Sequence, residues 1–232
     1  MRTIGLLGGM SWESTAVYYR LLNEGAADRF GPLRQAPILL HSFDFAEVAA
    51  RQRAQEWDQL GRQLSDATRG LVRAGAELIG ICANTMHILA DEVRRAADGV
   101  PLVHVVDATA DAVDAAGARR VALLGTAYTM DKPFYADALR AHGLDVVLPG
   151  PSTRVELQRI IYEELTQGIV RTESRAALLG AIRECSDQGA QVAALACTEF
   201  QMLVEPGDTD SPVPVVDTTR EHCRALLEAA CE

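Results

Sequence analysis

Short apolar runs with strand character alternate along the whole chain with amphipathic stretches of helical period. The strand-like runs lie near residues 3–8, 37–42, 77–82, 102–106, 120–125, 145–148, 192–196 and 213–216. Helical patterns such as 57–74 and 154–166 separate them, and the segment 205–214, rich in Pro, Gly and Asp, is typical of a loop. Because parallel strands need crossover connections that are usually helices, this alternation predicts an α/β fold with mainly parallel sheets flanked by helices.

Three pairs of similar segments indicate that this pattern occurs twice. The pairs keep the same order and a nearly constant spacing: 3–9 with 120–126, 75–85 with 189–199, and 101–109 with 212–219, which matches Asp107 to Asp217. We therefore expect two similar domains related by a pseudo-twofold axis. The first comprises 1–104 and a returning segment 217–232, and the second comprises 105–216. Ligands of α/β proteins bind at the carboxyl ends of the strands, so the cleft between the domains is the predicted active site.

Composition excludes several classes of protein. The net charge of −10 argues against nucleic acid as a partner, because binding it needs a clustered positive surface. No stretch reaches the roughly 18 consecutive apolar residues of a membrane span. The N-terminal segment MRTIGLLGG lacks the long apolar region and cleavage site of a signal peptide, and we expect a cytoplasmic protein.

The cysteine and lysine content argues against common cofactors. Five dispersed cysteines without a Cys-x-x-Cys pair do not suggest a disulfide framework or a metal site. The single lysine, Lys132, precedes Pro133 at a predicted helix start, which is a weak candidate for the Schiff-base lysine of a pyridoxal phosphate enzyme. The segment LLGGM matches neither nucleotide-binding fingerprint. We expect no cofactor.

Strand parity distinguishes Cys82 from its neighbour Ala83. When Gly75 is aligned with Gly189, Ala83 matches Cys197. Side chains alternate between the two faces of a strand, so a shift of one residue reverses their direction. If Cys197 faces the cleft, Ala83 does too, and Cys82 points into the core of its domain. A strand end can bulge or turn, so a catalytic role for Cys82 stays open.

Cys197 occupies a position suited to a reactive thiol. It follows the apolar strand 192–196 and precedes Thr198-Glu199, a predicted helix start. A helix N-terminus lowers the pKa of a nearby thiol, so we expect an activated Cys197. The alternative is a buried, inert cysteine, which is our reading of Cys185, Cys223 and Cys231 in predicted helices. A packed or capping role is our interpretation of His87.

Five segments in this order, MRTIGLLGGMSWEST, HSFDF, ANTMH, LLGTAYTM and ACTEF, resemble the aspartate/glutamate racemase family. The resemblance covers essentially the whole chain and points to the broad-specificity branch, whose members begin GLLGGMSWEST and carry NTMH. It implies a two-domain fold whose last helix packs back on the first domain. It also implies cofactor-independent racemisation with one acid/base group on each side of the substrate's α-carbon.

The resemblance also assigns site residues. The family's second motif, Gly-Cys-Thr-Glu, is present as Ala196-Cys197-Thr198-Glu199, and the first, Cys-Asn-Thr, has Ala83 in place of the reactive residue. Cys197 is therefore the expected principal acid/base, Ala83 occupies the partner position without a reactive group, and Cys82 lies beside it. The substrate contacts carried over are Met10, Gln52, Asn84, Thr85, Thr198 and Glu199. We also expect a homodimer that takes a small amino acid or dicarboxylate.

Because of Ala83, the sequence is compatible with more than one type of reaction. A racemase needs two acid/base groups of complementary protonation, and alanine can neither accept nor donate a proton. The alternatives to a racemase are a one-thiol decarboxylase or isomerase of a small dicarboxylate and a binding protein without turnover. An acidic substrate would need a cation, for which the candidates are Arg51, Arg53, Lys132 and Arg154, whereas Gln52 favours a neutral or broad side-chain preference.

Overall fold

A computed structural model describes all residues, 1–232. The chain divides into two compact units, Met1–His104 with His222–Glu232 and Val105–Glu221. Every strand pair in both units is parallel, with helices flanking each sheet. The predicted α/β class is confirmed. No helix is both long enough and apolar enough to cross a lipid bilayer.

The first unit contains a three-stranded sheet in the order β2-β1-β3. Its strands are β1 (Ile4–Gly8), β2 (Ile38–Ser42) and β3 (Leu78–Ile81). Its helices are α1 (Trp12–Phe30), α2 (Phe45–Arg53), α3 (Trp57–Arg73), α4 (Ala90–Ala96) and a 3-10 helix at Thr85–Leu89. The side chain of Ser11 accepts a hydrogen bond from the Ser14 amide and so caps α1, as Ser does at many helix starts.

Both faces of the first sheet are covered by apolar side chains. One face packs with α1 and the last helix and contains Leu6, Cys82 and Leu226. The other packs with α3 and contains Ile81 and Ala83. Burial on both faces explains why β1 and β3 are continuous apolar runs, whereas the edge strand β2 is partly exposed and ends in His41-Ser42.

The second unit contains a four-stranded sheet in the order β5-β4-β6-β7. Its strands are β4 (Arg120–Gly125), β5 (Asp145–Val147), β6 (Val192–Ala196) and β7 (Val215–Asp217). Its helices are α5 (Val105–Ala115), α6 (Ala127–Asp131), α7 (Pro133–Ala141), α8 (Pro151–Glu163) and α9 (Thr172–Asp187), with 3-10 helices at Leu165–Gln167 and Thr198–Met202. The last helix, α10 (Thr218–Cys231), begins here, and its residues from His222 onward belong to the first unit.

Local details of the two units repeat as well. Each central strand, β1 or β4, pairs on one side with the next strand along the chain and on the other with β3 or β6. Each unit also buries a tyrosine whose hydroxyl bonds a helix residue. The hydroxyl of Tyr18 lies 2.8 Å from His222 Nδ1, and that of Tyr135 lies 3.1 Å from Thr109 Oγ1.

The predicted strand 102–106 is wrong. Only an isolated bridge between Ile79 and Leu102 forms, because the chain turns into α5 at Val105 and Thr109 Oγ1 donates to the Val105 carbonyl. In the second unit Ala193 pairs with Val215, so Leu102 and Val215 hold equivalent places.

That register also shows that the matching of Asp107 to Asp217 between the two similar segments is wrong. Asp217 lies two residues after Val215, and His104 lies two residues after Leu102. His104 is therefore the counterpart of Asp217. Asp107 lies in the first turn of α5, where its carboxylate contacts His142. Residues 217–221, which we expected in the first domain, belong to the second unit. Asp217 pairs with Leu195, and Thr218 Oγ1 donates to the Leu195 carbonyl, so this segment is tied to β6.

Candidate active site

In the first unit the candidate residues follow the carboxyl ends of β1 and β3. Gly9 turns the chain with a φ of 78°, and a side chain there would come within 2.2 Å of the Phe43 carbonyl oxygen. Only glycine fits that close approach and left-handed conformation, which explains Gly9. Met10 comes next and is buried in the same apolar cluster as Ala83 and Met86.

Cys82 and Ala83 lie on opposite faces of the sheet at the end of β3. Cys82 is fully buried against α1 and α10, and its amide donates to the Leu7 carbonyl at 2.9 Å. Burial raises the pKa of the Cys82 thiol far above its ordinary value. The Cys82 thiol is therefore protonated and enclosed by apolar groups, the usual condition of a structural cysteine.

The structure brings several predicted substrate contacts of the first unit into one cluster. Gln52 is buried on α2 and its Nε2 donates to Met86 Sδ at 3.1 Å. Met86 shares its cluster with Met10 and Ala83. Asn84 and Thr85 are also buried, at the start of the 3-10 helix that carries Met86. The hydrogen-bond partner of the Gln52 side chain is thus a neutral group.

The basic residues predicted as partners for an acidic side chain lie on helices or between them. Arg51 donates to Gln59 Oε1 at 2.6 Å and forms an ion pair with Glu47 at 2.5 Å. Arg53 is exposed at the end of α2. In the second unit Arg154 is paired with Asp131, and Lys132 lies at the junction of α6 and α7.

His87 is buried and belongs to an aromatic cluster that sequence reasoning missed. Its Nδ1 lies 2.9 Å from the Ala83 carbonyl oxygen, and its ring packs edge-on against His104 and His222. The packed role expected for His87 is therefore observed. His104 and His222 lie far from it in the chain and in different sequence contexts, so no local motif signals the cluster. No group of three or more His, Cys, Asp or Glu side chains is arranged to hold a metal ion.

In the second unit, Cys197, Thr198 and Glu199 form a compact polar group at the end of β6. Cys197 Sγ donates to Glu199 Oε2 at 3.0 Å, and Thr198 Oγ1 donates to the same oxygen at 2.7 Å. All three residues are buried. Cys197 shares its sheet face with Ala193 and Leu195, as Ala83 does with Ile79 and Ile81. The two residues thus hold equivalent places at the ends of β6 and β3.

The predicted lowering of the Cys197 pKa is wrong for the structure as it stands. Burial, and then the Glu199 carboxylate, hold the pKa of the thiol well above its ordinary value. The amides of Glu199 and Phe200 act in the opposite direction and are outweighed. The helix that follows is a 3-10 helix of only five residues, Thr198–Met202, too short to supply a strong dipole.

This arrangement sets the chemistry available to Cys197. The thiol is protonated at rest and has a carboxylate oxygen in contact, so it can deliver a proton directly. It can accept a proton only after its own has moved along the hydrogen bond to Glu199. The geometry therefore allows the pair to act as a thiol acid/base with its own proton acceptor.

The profile of the Asp/Glu/hydantoin racemase family matches residues 7–226. The chain belongs to this family. Its relatives include the broad specificity amino-acid racemase RacX of Bacillus subtilis, which is 22% identical over 93% of this chain and 92% of its own length. Membership supports an isomerase role for the chain, with amino-acid racemisation as the class of reaction.

Two solved structures of racemase relatives agree with this membership along the whole chain. A protein from Yersinia pestis, assigned to the Asp/Glu racemases, is 42% identical with a TM-score of 0.92, and 100% of each chain is covered. PH1733, an aspartate racemase homologue from Pyrococcus horikoshii, is 35% identical with a TM-score of 0.86 and the same coverage. The racemase fold is therefore present without large insertions or deletions.

Proposed function

We propose that this protein is a cofactor-independent amino-acid racemase in which Cys197 is the principal acid/base and Glu199 is its proton partner. The observation that carries the proposal is the 3.0 Å hydrogen bond from Cys197 Sγ to Glu199 Oε2 at the end of β6. Family membership supports the reaction class, and the contact supplies a group able to take up and return a proton.

The proposed reaction begins when the Cys197 proton moves to Glu199 Oε2. The resulting thiolate takes the α-proton of the substrate, and the electron pair of the broken C–H bond remains on the substrate as a carbanion stabilised by its carboxylate. A proton then returns to the α-carbon. Return from Cys197 regenerates the starting enantiomer, whereas return to the opposite face gives the other enantiomer.

Alanine at position 83 limits formation of the other enantiomer. In this proposal the place equivalent to Cys197 in the first unit is position 83, which carries only a methyl group. Protonation of the opposite face then depends on water. We therefore expect exchange of the α-proton to exceed inversion, and the two enantiomers to react at different rates.

The substrate we propose has a neutral side chain or belongs to a broad range of amino acids. Gln52 and Met86 are joined by a neutral hydrogen bond, and Arg51 in the same unit is paired with Glu47. The broad specificity of the racemase relative RacX agrees with this assignment. An acidic side chain would leave a carboxylate to be matched by a cation, and neither Gln52 nor Met86 provides one.

Independence from pyridoxal phosphate is part of the proposal. The only lysine, Lys132, lies between α6 and α7 as the residue before Pro133, at the N-cap position of α7. The thiol and carboxylate at Cys197 and Glu199 supply proton transfer without an electron sink. Addition of pyridoxal phosphate is expected to leave the exchange rate unchanged.

Ala83 also favours a second candidate, a one-thiol decarboxylase or isomerase of a small dicarboxylate, because such a reaction delivers one proton to one face. A third reading is a carboxylate-binding protein without turnover.

The deciding experiment incubates the protein in deuterium oxide with a panel of amino acids and substituted malonates. Deuterium incorporation at the α-carbon supports the racemase, and loss of carbon dioxide supports the decarboxylase. Thermal stabilisation by a ligand without either reaction supports the binding protein.

A further inference from the structure

The buried cluster of His87, His104 and His222 lies beside a backbone group of the proposed site. His222 is held at both ring nitrogens, by the Tyr18 hydroxyl at 2.8 Å and the Val103 carbonyl at 2.9 Å. Because a carbonyl only accepts, Nε2 of His222 carries the proton and Nδ1 accepts from Tyr18. The ring of His222 is therefore fixed in one orientation.

His222 and His104 in turn pack on His87. The ring centroids lie 5.4 Å and 4.6 Å from that of His87, at interplanar angles of 70° and 71°. All three side chains are buried. Burial, then repulsion from His104 and His222, holds the pKa of His87 well below its usual range. His87 is therefore neutral, and its one N–H lies on Nδ1, because Nδ1 faces a carbonyl oxygen.

That carbonyl belongs to Ala83. The first backbone hydrogen bond of the 3-10 helix runs from the His87 amide to the Asn84 carbonyl at 3.1 Å, and the Ala83 carbonyl receives the His87 side chain instead. The Ala83–Asn84 peptide is trans, so its N–H points opposite to its C=O. Holding the Ala83 oxygen therefore fixes the direction of the Asn84 amide as well.

We propose that His87 is a positioning residue for the racemase site, because its imidazole holds the Ala83 carbonyl and so sets the plane of the Ala83–Asn84 peptide. The catalytic consequence rests on the proposed function, with position 83 as the counterpart of Cys197 and Asn84 as a predicted substrate contact. The hydrogen bond itself stands independently of that function. His87 touches no reacting atom, and it acts through the peptide that carries positions 83 and 84.

The sequence allows a direct test of the bond. The dipeptide Ala-Asn occurs only at 83–84, so protein labelled with carbonyl-¹³C alanine and ¹⁵N asparagine shows one correlation across this peptide. His87→Leu removes the donor and puts an apolar side chain of similar size in its place. His87→Asn keeps an amide N–H near the place of Nδ1. His142→Leu alters an exposed histidine just after the end of α7 in the other unit and serves as the control.

We expect His87→Leu to shift the single correlation strongly, His87→Asn to move it less than half as far, and His142→Leu to leave it in place. An unchanged correlation in folded His87→Leu, or equal shifts in the Leu and Asn variants, would overturn the proposal. If His87→Leu does not fold, the wild-type long-range ¹H–¹⁵N spectrum decides. A proton on Nδ1 of His87 supports the bond, and a proton on Nε2 contradicts it.

Kinetics test the consequence for catalysis. Loss of one buried hydrogen bond to the peptide is expected to raise KM for the amino acid about tenfold in His87→Leu, and His87→Asn is expected to recover most of it. Equal KM values for wild type and a folded His87→Leu would contradict positioning. If the wild-type protein exchanges no amino acid, the proposed function fails while the ligand-free spectra still decide the bond.

Discussion

Cys82 and Ala83 are consecutive in the chain and buried on opposite faces of the first sheet, Cys82 against α1 and α10 and Ala83 against the cluster that includes Met10 and Met86. The residue with a reactive atom therefore packs against α1 and α10, and the residue in the place equivalent to Cys197 has no reactive atom. This relationship separates a structural cysteine from a position that we propose is functional and that lacks a reactive group, and each can be tested by substitution.

Cys82→Ser is expected to reduce stability without removing activity. The serine hydroxyl would enter an apolar cluster, and leaving it without a partner costs about 1–3 kcal/mol of unfolding free energy. Urea unfolding measures the loss. Cys231→Ser, on the partly exposed last turn of α10, is the control and is expected to change stability little. If folded Cys82→Ser loses α-proton exchange as completely as Cys197→Ser, Cys82 is the working thiol.

Ala83→Thr is expected to raise the rate of inversion about tenfold or more, with each factor of ten corresponding to about 1.4 kcal/mol of barrier. The new hydroxyl would return a proton to the face that the proposal leaves to water. Ala83→Val has nearly the same shape as the threonine variant without the hydroxyl and is the matched control. Chiral chromatography of the products measures inversion. Equal rates in the Thr and Val variants would show that position 83 does not take part in proton transfer.

Glu199→Gln is expected to lower the pKa of the Cys197 thiol. The Glu199 carboxylate raises that pKa by its negative charge and by accepting the thiol hydrogen bond, and the neutral amide removes the charge. The ultraviolet absorbance of the thiolate followed against pH measures the change, with Cys197→Ser as the blank. Exchange is expected to fall at the same time, because the thiol proton has lost its acceptor. A thiol that ionises at higher pH in Glu199→Gln would contradict the assignment.

The buried His87 predicts an acid-dependent loss of stability. Its pKa in the folded protein lies well below 6.5, the value expected in the unfolded chain. Below about pH 6.5 the unfolded state therefore binds a proton that the folded state does not. As the pH is lowered further, the free energy of unfolding decreases by at most about 1.4 kcal/mol per pH unit.

His87→Asn lacks this titration. The unfolding free energy of wild type minus that of His87→Asn should therefore become smaller as the pH is lowered from 7 to 5. Other nearby groups, His104, His222 and Arg94, are present in both proteins. Urea unfolding at several pH values measures the difference. A difference that stays constant or grows toward pH 5 would show that His87 is not held neutral in the folded state.

Much of the fold follows from sequence periodicity. All seven strands of the structure lie within or beside apolar runs, and α3 (Trp57–Arg73) nearly coincides with its amphipathic pattern. The run 102–106 is the exception, because Val105 and Val106 are buried equally well in the first turn of a helix. A short apolar run does not distinguish a strand from a buried helix start. The matching of Asp107 to Asp217 is wrong because the register of the strands makes His104 the counterpart of Asp217.

The candidate site was only partly predictable. The parity of β3 and β6 was sufficient to separate Cys82 from Ala83, since side-chain direction on a strand is set by position alone. The environment of Cys197 was not predictable, because its thiol pKa depends on burial and on the orientation of the Glu199 carboxylate. The contacts among His87, His104 and His222 depend on tertiary packing between residues distant in the chain. No pattern of residue spacing in the sequence predicts these contacts.

In the proposed reaction Cys197 moves the α-proton, and no protein group protonates the opposite face of the α-carbon. The most direct measurement follows deuterium incorporation and inversion together, for both enantiomers of an accepted amino acid in deuterium oxide. We predict that wild type incorporates deuterium into one enantiomer faster than it inverts it, and that folded Cys197→Ser does neither. Deuterium incorporation by Cys197→Ser at the wild-type rate would contradict the account.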